Sequence, residues 1–467
     1  MKITFIAHAS ILIETRGLRI LSDPWWSGPC FGAQWWVYPK AHTAPLGEAP
    51  INYIYISHGH HDHLHPGTLK TLNKDAKVLV ARDLDLAEGI RRLGFEVIEL
   101  SPDQVFDMGK GVSCRIQPTE GDDTLMMLDD GEQVVGNLND AVHPLSEPSQ
   151  DRFMAWIAER YPKVDYLFVG YGTASHFPNC YRVPGKDDAA TAIQRQGYFN
   201  RTWARIVGAM KPRFAFPFAA SLAFFEDDLF AYNAPVHNPD RPTLRFEQAH
   251  PGSATRAIDW NHGFVIEDGE IIEDIRHQDF DEALCRRERA GDITRANTYG
   301  RVTDEHLDEL ERLLRENLDT CAAWLREYSG DWHFVIALRN CDQGFALYKK
   351  GTGLELERLV ECAMDDVAYD VRLIARVPYL KRSLTEPYGN EILFVGSGCV
   401  IDYPSRAKAD TNVHRELFML LGHHPKPPRS RFGDQSKLAY TVKTGARKVL
   451  GKTPRDFYDL ADWIVYR

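Results

Sequence analysis

The residues best suited to chemistry lie in one short run, His58-Gly59-His60-His61-Asp62-His63, with His65 following after Leu64. Five imidazoles packed this closely would repel one another whenever they were protonated together. A metal ion removes the conflict, because its ligands are neutral imidazoles. The run follows Ile54-Tyr55-Ile56-Ser57, which reads as a buried strand, and precedes Pro66, which suits the first turn of a helix. His58 and His60 then point to one side of a strand-to-helix loop, and Asp62 and His63 serve a second metal beside it. Two adjacent cations share a water, lower its pKa and orient it. A polar loop assembled by chance is a much weaker account of this spacing. His61 and His65 read as bystanders or as supports for the ligands.

Alternating strands and helices must position that loop. Residues 3–7, 10–14 and 18–22 are short β-rich runs separated by turn residues, and 53–57 is another that ends at the histidines. Strands at 78–81 and 96–99 flank a helix at 84–93. Residues 126–128 and 133–135, joined by Asp129-Asp130-Gly131, read as a hairpin. Strands at 166–169 and 213–217 enclose a helix at 190–210. This order predicts one domain over 1–275. A charged linker is expected over 276–301 and a small α+β domain over 302–424. The latter has a helix at 303–328 with Leu307, Leu310, Leu314 and Leu318 on one face, strands at 332–338, 345–349, 370–377 and 391–401, and a helix at 411–421. Residues 425–467 form a basic tail, read mainly as a solvated segment.

The chain has 467 residues, enough for two domains and a sizeable core. Its formal net charge of −11 argues against nucleic acid as the main partner. No run of 18 apolar residues predicts a membrane span. The opening Met1-Lys2-Ile3-Thr4-Phe5-Ile6 reads as a strand and not as a secretory signal, so the expected address is the cytoplasm. The eight cysteines are scattered without a Cys-x-x-Cys pair, which predicts free buried thiols in a reducing compartment. No Cys-x-His followed by Cys-x-x-His occurs, so these residues carry no Rieske iron–sulfur module.

With its His-x-His-x-Asp-His signature, the sequence resembles the metallo-β-lactamase superfamily. Within it, the sequence is similar to the hydrolase-like domain of the CMP-N-acetylneuraminate hydroxylase family. The matching stretches include Ala7-His8-Ala9, Ser22-Asp23-Pro24-Trp25, Trp35-Trp36, Asp123-Thr124, Asn139-Asp140 and Pro217-Phe218-Ala219, spread over roughly the first 260 residues. A more distant likeness is to N-acylphosphatidylethanolamine phospholipase D and bacterial lactonases. The resemblance implies an α/β fold, an αββα metallo-β-lactamase sandwich with a C-terminal α+β domain.

The resemblance also completes the metal set. Asp140 stands where the family places a carboxylate that bridges the metals. Where the family has a third histidine, this sequence has Glu120, with Asp122 competing. A carboxylate there favours iron, with manganese or zinc as alternatives, so the expected cofactor is a pair of divalent metal ions. The last ligand is expected at His237, with His176 and His250 as alternatives. His8 is expected beside the metals in a catalytic role together with Asp62, and Asp23 is expected to orient a ligand histidine. Trp25, Trp36 and His176 are candidate substrate contacts, although most residues of such an aromatic cluster pack the core.

Two chemistries compete. The first is a di-iron oxygenase that hydroxylates a small polar or nucleotide-sugar-like molecule, with a separate electron donor as partner. The second is a dizinc hydrolase of an ester, amide, lactone or phosphodiester that uses a bridging hydroxide. The oxygenase is placed first. A metal-stabilised binding protein fits less well, because structural sites close around one metal. The C-terminal domain is expected either to cover the substrate cleft or to build a homo-oligomer.

Overall fold

A computed structural model describes residues 1–120, 123–172, 180–236, 240–327, 330–359, 367–387, 389–409 and 413–428. The chain divides into two compact units. The first comprises Met1–Ala174 and Ile193–Ala296, and the second Ser175–Ala192 and Asn297–Arg467. No helix among the described residues is long and apolar enough to cross a membrane.

Among the described residues the first unit contains two large sheets and a two-stranded one, Trp35–Val37 against Leu222–Phe224. One has eight strands in the order Glu270–Glu273, Val265–Glu267, Lys2–Ala7, Ser10–Thr15, Leu18–Ser22, Tyr53–Tyr55, Lys77–Ala81 and Glu96–Leu100. The other has seven, in the order Arg256–Ala257, Phe214–Phe218, Tyr166–Gly170, Val134–Asn139, Thr124–Asp129, Val112–Pro118 and Phe106–Gly109. Side chains alternate across a strand, and the packing follows from that period. From Thr124–Asp129, Met126 and Leu128 join a core that also holds Ile3, Phe5, Ile11, Ile13 and Tyr55 of the first sheet. Leu125 and Met127 pack on the other face with Phe153, Met154, Trp203 and Val207, which belong to the helices Glu147–Arg160 and Asp188–Met210. Both faces of the second sheet are therefore buried, which explains the nearly unbroken apolar runs of Tyr166–Gly170 and Phe214–Phe218. This is the metallo-β-lactamase fold.

The second unit is an α+β arrangement. Its six-stranded sheet runs Tyr181–Arg182, Cys399–Asp402, Val371–Ala375, Trp332–Leu338, Gly344–Lys350 and Gly353–Leu359. Helix Asp304–Arg326 buries Leu307, Leu310, Leu314 and Leu318, the stripe visible in the sequence, and Thr303 caps it with His306.

Several boundaries differ from the sequence reading. Residues 276–301, expected as a charged linker, hold regular structure. They contain the helices Glu282–Glu288 and Ala290–Ala296, and Cys285 and Ala296 are fully buried beside Trp36, Phe225 and Phe230. Residues 175–192 group with the second unit, not with the first. The strand expected over 391–401 is a short helix, Glu391–Phe394, followed by a strand at Cys399–Asp402. Most of the basic tail, from residue 429 on, lies outside the described residues.

Asp130 ties the two large sheets of the first unit together at one end. The Thr15 hydroxyl donates to its Oδ2, and the amides of Glu132 and Gln133 donate to its Oδ1 at 3.0 and 2.8 Å. Burial alone would raise this carboxyl, but those donors outweigh it and hold the group below the usual carboxylate value. A depressed folded-state pKa stabilises the fold above the unfolded value of about 3.9, and that contribution is lost as pH falls through the folded value. Asp130→Asn is therefore expected to lower the urea midpoint near neutral pH and to flatten its fall below about pH 4. An unchanged midpoint at neutral pH would remove Asp130 from this role.

Candidate metal centre

The histidine run begins where a buried parallel strand stops. Tyr53–Tyr55 lies between Leu18–Ser22 and Lys77–Ala81, and Ile56 N still donates to Leu79 O at 3.1 Å. The chain then turns tightly, with the amides of His63 and Leu64 both donating to His60 O. His65 ends the loop as a helix cap, its Nδ1 accepting from Thr68 N at 3.1 Å, and His61 lies against the Phe31 ring. These two histidines are occupied by structure.

Asp23 is the anchor of the loop. It follows Leu18–Ser22 with a left-handed φ of 34° and is fully buried. Its Oδ1 accepts from Ser57 N at 2.8 Å, and its Oδ2 accepts from Ser57 Oγ at 2.6 Å and Asn139 Nδ2 at 2.7 Å. The same Oδ2 stands 3.0 Å from His63 Nδ1. One carboxylate thus joins the ends of three strands and turns the far nitrogen of His63 away from itself.

That nitrogen decides what the site can hold. His63 Nε2 lies 3.2 Å from Asp62 Oδ2 and 3.2 Å from Asp140 Oδ2 and makes no hydrogen bond among the described residues. Asp62 Oδ1 is likewise buried without a hydrogen bond. If Nδ1 donates to Asp23, a neutral His63 directs a lone pair at two carboxylates, which is repulsive unless a cation lies between them. Without a cation the ring itself must carry the charge. Burial would lower His63, but Asp62, Asp140 and Asp23 hold it well above the usual imidazole value. Burial would raise Asp62 and Asp140, yet His63 holds both below the carboxylate range. His58 goes the other way, pushed well down by burial and then by His63 and His60.

Three overlapping groups have ligand atoms within 4.8 Å of one another: His8, Asp62 and His63; His58, His60 and Asp123; and His58, His63 and Asp140. No cysteine joins these groups among the described residues. The donor set, nitrogen and carboxylate oxygen, largely buried and with orphaned atoms, fits divalent metal ions.

His8 is buried, with Nε2 3.1 Å from Asp62 Oδ2. Its backbone is left-handed, φ 38°, and its amide donates to His262 Nε2 at 3.2 Å. Burial pushes His262 down to about 4, so the ring is neutral and Nε2 can accept. Trp25 closes over His8 edge-on, with centroids 5.0 Å apart.

The structure thus brings together His58, His60, Asp62, His63, Asp140 and His8 from the expected set. It does not bring Glu120, whose side chain is half-exposed, accepts from Ser149 Oγ at 2.6 Å and pairs with Arg152. Asp123 stands by His58 instead, with Oδ1 3.3 Å from His58 Nδ1. Glu120 is turned to Ser149 and Arg152, whereas Asp123 directly precedes the strand Thr124–Asp129. His250 packs on Gly208 and Phe246, apart from these groups. His176, His237 and Asp122 lie outside the described residues. Trp25 and Trp36 are buried, and Trp36 stacks on Phe225, so both rings serve packing and not an open binding face.

Sequence reasoning missed Ser57, Asn139, His143 and His262. His143 is buried three residues after Asp140, whose charge it feels. Gly170 admits it, since a Cβ there would come within 2.5 Å of both His143 Nδ1 and Asn139 O. The Asn139-Asp140 pair was a signal for Asn139; nothing local marked the distant His262.

The sequence is similar to several known proteins. Residues 2–155 match the family model described as "Beta-lactamase superfamily domain". A protein of Mycobacterium tuberculosis (strain H37Rv) named as a Rieske 2Fe-2S iron-sulfur protein is 30% identical over 219 residues, 43% of this chain and 40% of the relative. The cytidine monophosphate-N-acetylneuraminic acid hydroxylase of Danio rerio is 40% identical over 75 residues, 15% of this chain and 12% of the relative. A UPF0173 metal-dependent hydrolase of Carboxydothermus hydrogenoformans is 44% identical over 64 residues, 14% of this chain and 24% of the relative. The chain therefore matches less than half the length of each of these relatives.

Two substitutions separate the carboxylates. Asp123→Ala is expected to weaken metal retention by roughly 10–100-fold in a chelator competition, while Glu120→Ala leaves it unchanged. The reverse pattern would return the ligand role to Glu120. Asp23→Ala is expected to weaken retention over the same rough range, because His63 loses the group that orients it.

Proposed function

We propose that this protein is an enzyme with a dinuclear metal centre held by His58, His60, Asp62, His63, Asp123 and Asp140, and that it hydroxylates a small polar molecule. The observation that carries the metal reading is the buried His63 Nε2, 3.2 Å from two carboxylates and without a hydrogen bond among the described residues. Iron is favoured by the share of carboxylates in the donor set and by the absence of thiolates from it among the described residues. Relatives named for a Rieske iron–sulfur centre and for a hydroxylase support the oxygenase.

When bound, a pair of metal ions supplies Lewis acidity and, if iron, redox capacity toward dioxygen. The chain's own residues do the rest. Asp23 fixes the ring of His63, and His262 fixes the backbone of His8. His8 Nε2 can donate to Asp62 Oδ2, which leaves Asp62 Oδ1 as a buried acceptor. Trp25 excludes water from His8. Hydroxylation consumes dioxygen, two electrons and two protons and returns one oxygen atom as water, so a separate electron donor is part of this proposal.

A hydrolase is the second reading, favoured by the 64-residue match to a protein named as a metal-dependent hydrolase. Metal analysis of protein purified without added metal, with optical spectra in air and after reduction, separates the two. About two irons per chain, with a spectrum that changes on reduction, is expected. Two zinc ions and a silent spectrum would overturn the oxygenase and direct assays to esters, lactones and phosphodiesters. With metals retained, Asp62→Asn is expected to lower turnover by roughly 100-fold or more, read as product formed per metal-loaded chain.

A further inference from the structure

A second site lies in the first unit, away from the metal groups. A cleft of about 610 Å³ is lined by Lys163, Lys211, Arg213, His250, Ser253 and Thr255, among others, and no carboxylate lines it among the described residues. The chain as a whole has 66 acidic residues against 55 lysines and arginines, so an acid-free cationic cleft runs against its composition.

The frame is built from backbone. Arg213 N donates to Val164 O at 3.0 Å, and Arg256 N donates to Arg213 O at 3.0 Å, which locks three chain segments side by side. These segments lead into the starts of Tyr166–Gly170, Phe214–Phe218 and Arg256–Ala257. Asp140 follows the opposite end of the parallel neighbour Val134–Asn139, so the cleft and the metal groups are separated by about 15 Å of strand. His250 forms a fixed wall, since a Cβ at Gly208 would lie 2.2 Å from its Nε2.

The cations are placed and mostly unspent. Lys163 is paired with Asp165 at 2.7 Å. Lys211 and Arg213 have no ion-pair partner among the described residues, and neither does Arg256 beside them. The guanidinium groups of Arg213 and Arg256 both lie against the Phe214 ring, at 5.0 and 5.1 Å from its centroid. Arg213 is further confined by the turn at Gly269, where a Cβ would strike its Nη2 at 2.3 Å. The helix Asp188–Met210 ends immediately before Lys211, and its C-terminal dipole, about half a negative charge, offsets only part of this surplus. The Lys211 ammonium, the Arg213 guanidinium and the hydroxyls of Ser253 and Thr255, all from residues that line the cleft, are groups that match the oxygens of a phosphate.

We propose that this cleft binds the phosphate group of a small phosphorylated molecule, independently of the metal centre. Its volume exceeds that of a bare phosphate and falls in the range of metabolite pockets.

The test uses the full metal-loaded chain and inorganic phosphate at low ionic strength, with calorimetric titration and hydrogen exchange. Phosphate is expected to slow exchange in 208–213 and 250–255. Lys211→Glu and Ser253→Asp, both expected to leave the thermal midpoint unchanged, should each weaken binding by about tenfold or more. Slowing confined to 57–65 would mean that phosphate sits on the metal centre, and would overturn the proposal. Unchanged affinity in both folded variants would do the same. So would binding of a single-stranded oligonucleotide, lost in these variants, in the absence of any binding of inorganic phosphate.

Discussion

The site depends on a carboxylate that has no contact with solvent. Asp23 accepts from Ser57 through both oxygens, and its Oδ2 also receives Asn139 Nδ2 and faces His63 Nδ1. A buried carboxylate is costly unless its lone pairs are met, and meeting them here requires three strand ends to arrive together. Satisfying one charge therefore assembles the loop. The left-handed backbones at Asp23, Asn139 and His8 fall at these same junctions. Strain of this kind persists only where the surroundings over-determine it, and the hydrogen bonds to Asp23 and His262 supply that determination.

The charge balance beyond Asp23 follows the same logic. Asp62 and Asp140 approach His63, and no lysine or arginine reaches either acid among the described residues. Positive charge must come from the rings or from a metal. His58 and His63 share one loop and are driven in opposite directions, His58 toward neutrality and His63 toward protonation. A bound cation would let both stay neutral, which is why the cluster reads as a metal site and not as a stable set of ion pairs.

Much of this was legible in the sequence. The His58–His63 spacing located the loop, because so many imidazoles directly after a buried strand are hard to accommodate without a metal. The hairpin around Asp129-Asp130-Gly131 and the leucine stripe of Asp304–Arg326 followed from local periodicity. Contacts set by the fold were not legible. Glu120 and Asp123 differ by three positions, and only the fold decides which carboxylate stands by His58. His262 touches His8 across 254 residues. Trp36 could not be told from a binding aromatic until the helices Glu282–Glu288 and Ala290–Ala296 were seen to cover it, in a segment whose charges disguised its buried Cys285 and Ala296.

Chain order in the second unit bears on how the protein is made. Tyr181–Arg182 is an edge strand of its sheet, and Tyr181 pairs with Ile401, 220 residues further along. At a synthesis rate of about 5–20 residues per second, this strand waits on the order of ten to forty seconds for its partner to emerge. The first unit can meanwhile bury much of its core from Met1–Ala174 and Ile193–Ala296, while the intervening stretch of chain stays unpaired. An unpaired strand edge during translation invites contact with other nascent chains or with chaperones. The brevity of Tyr181–Arg182, two residues, keeps that exposure small.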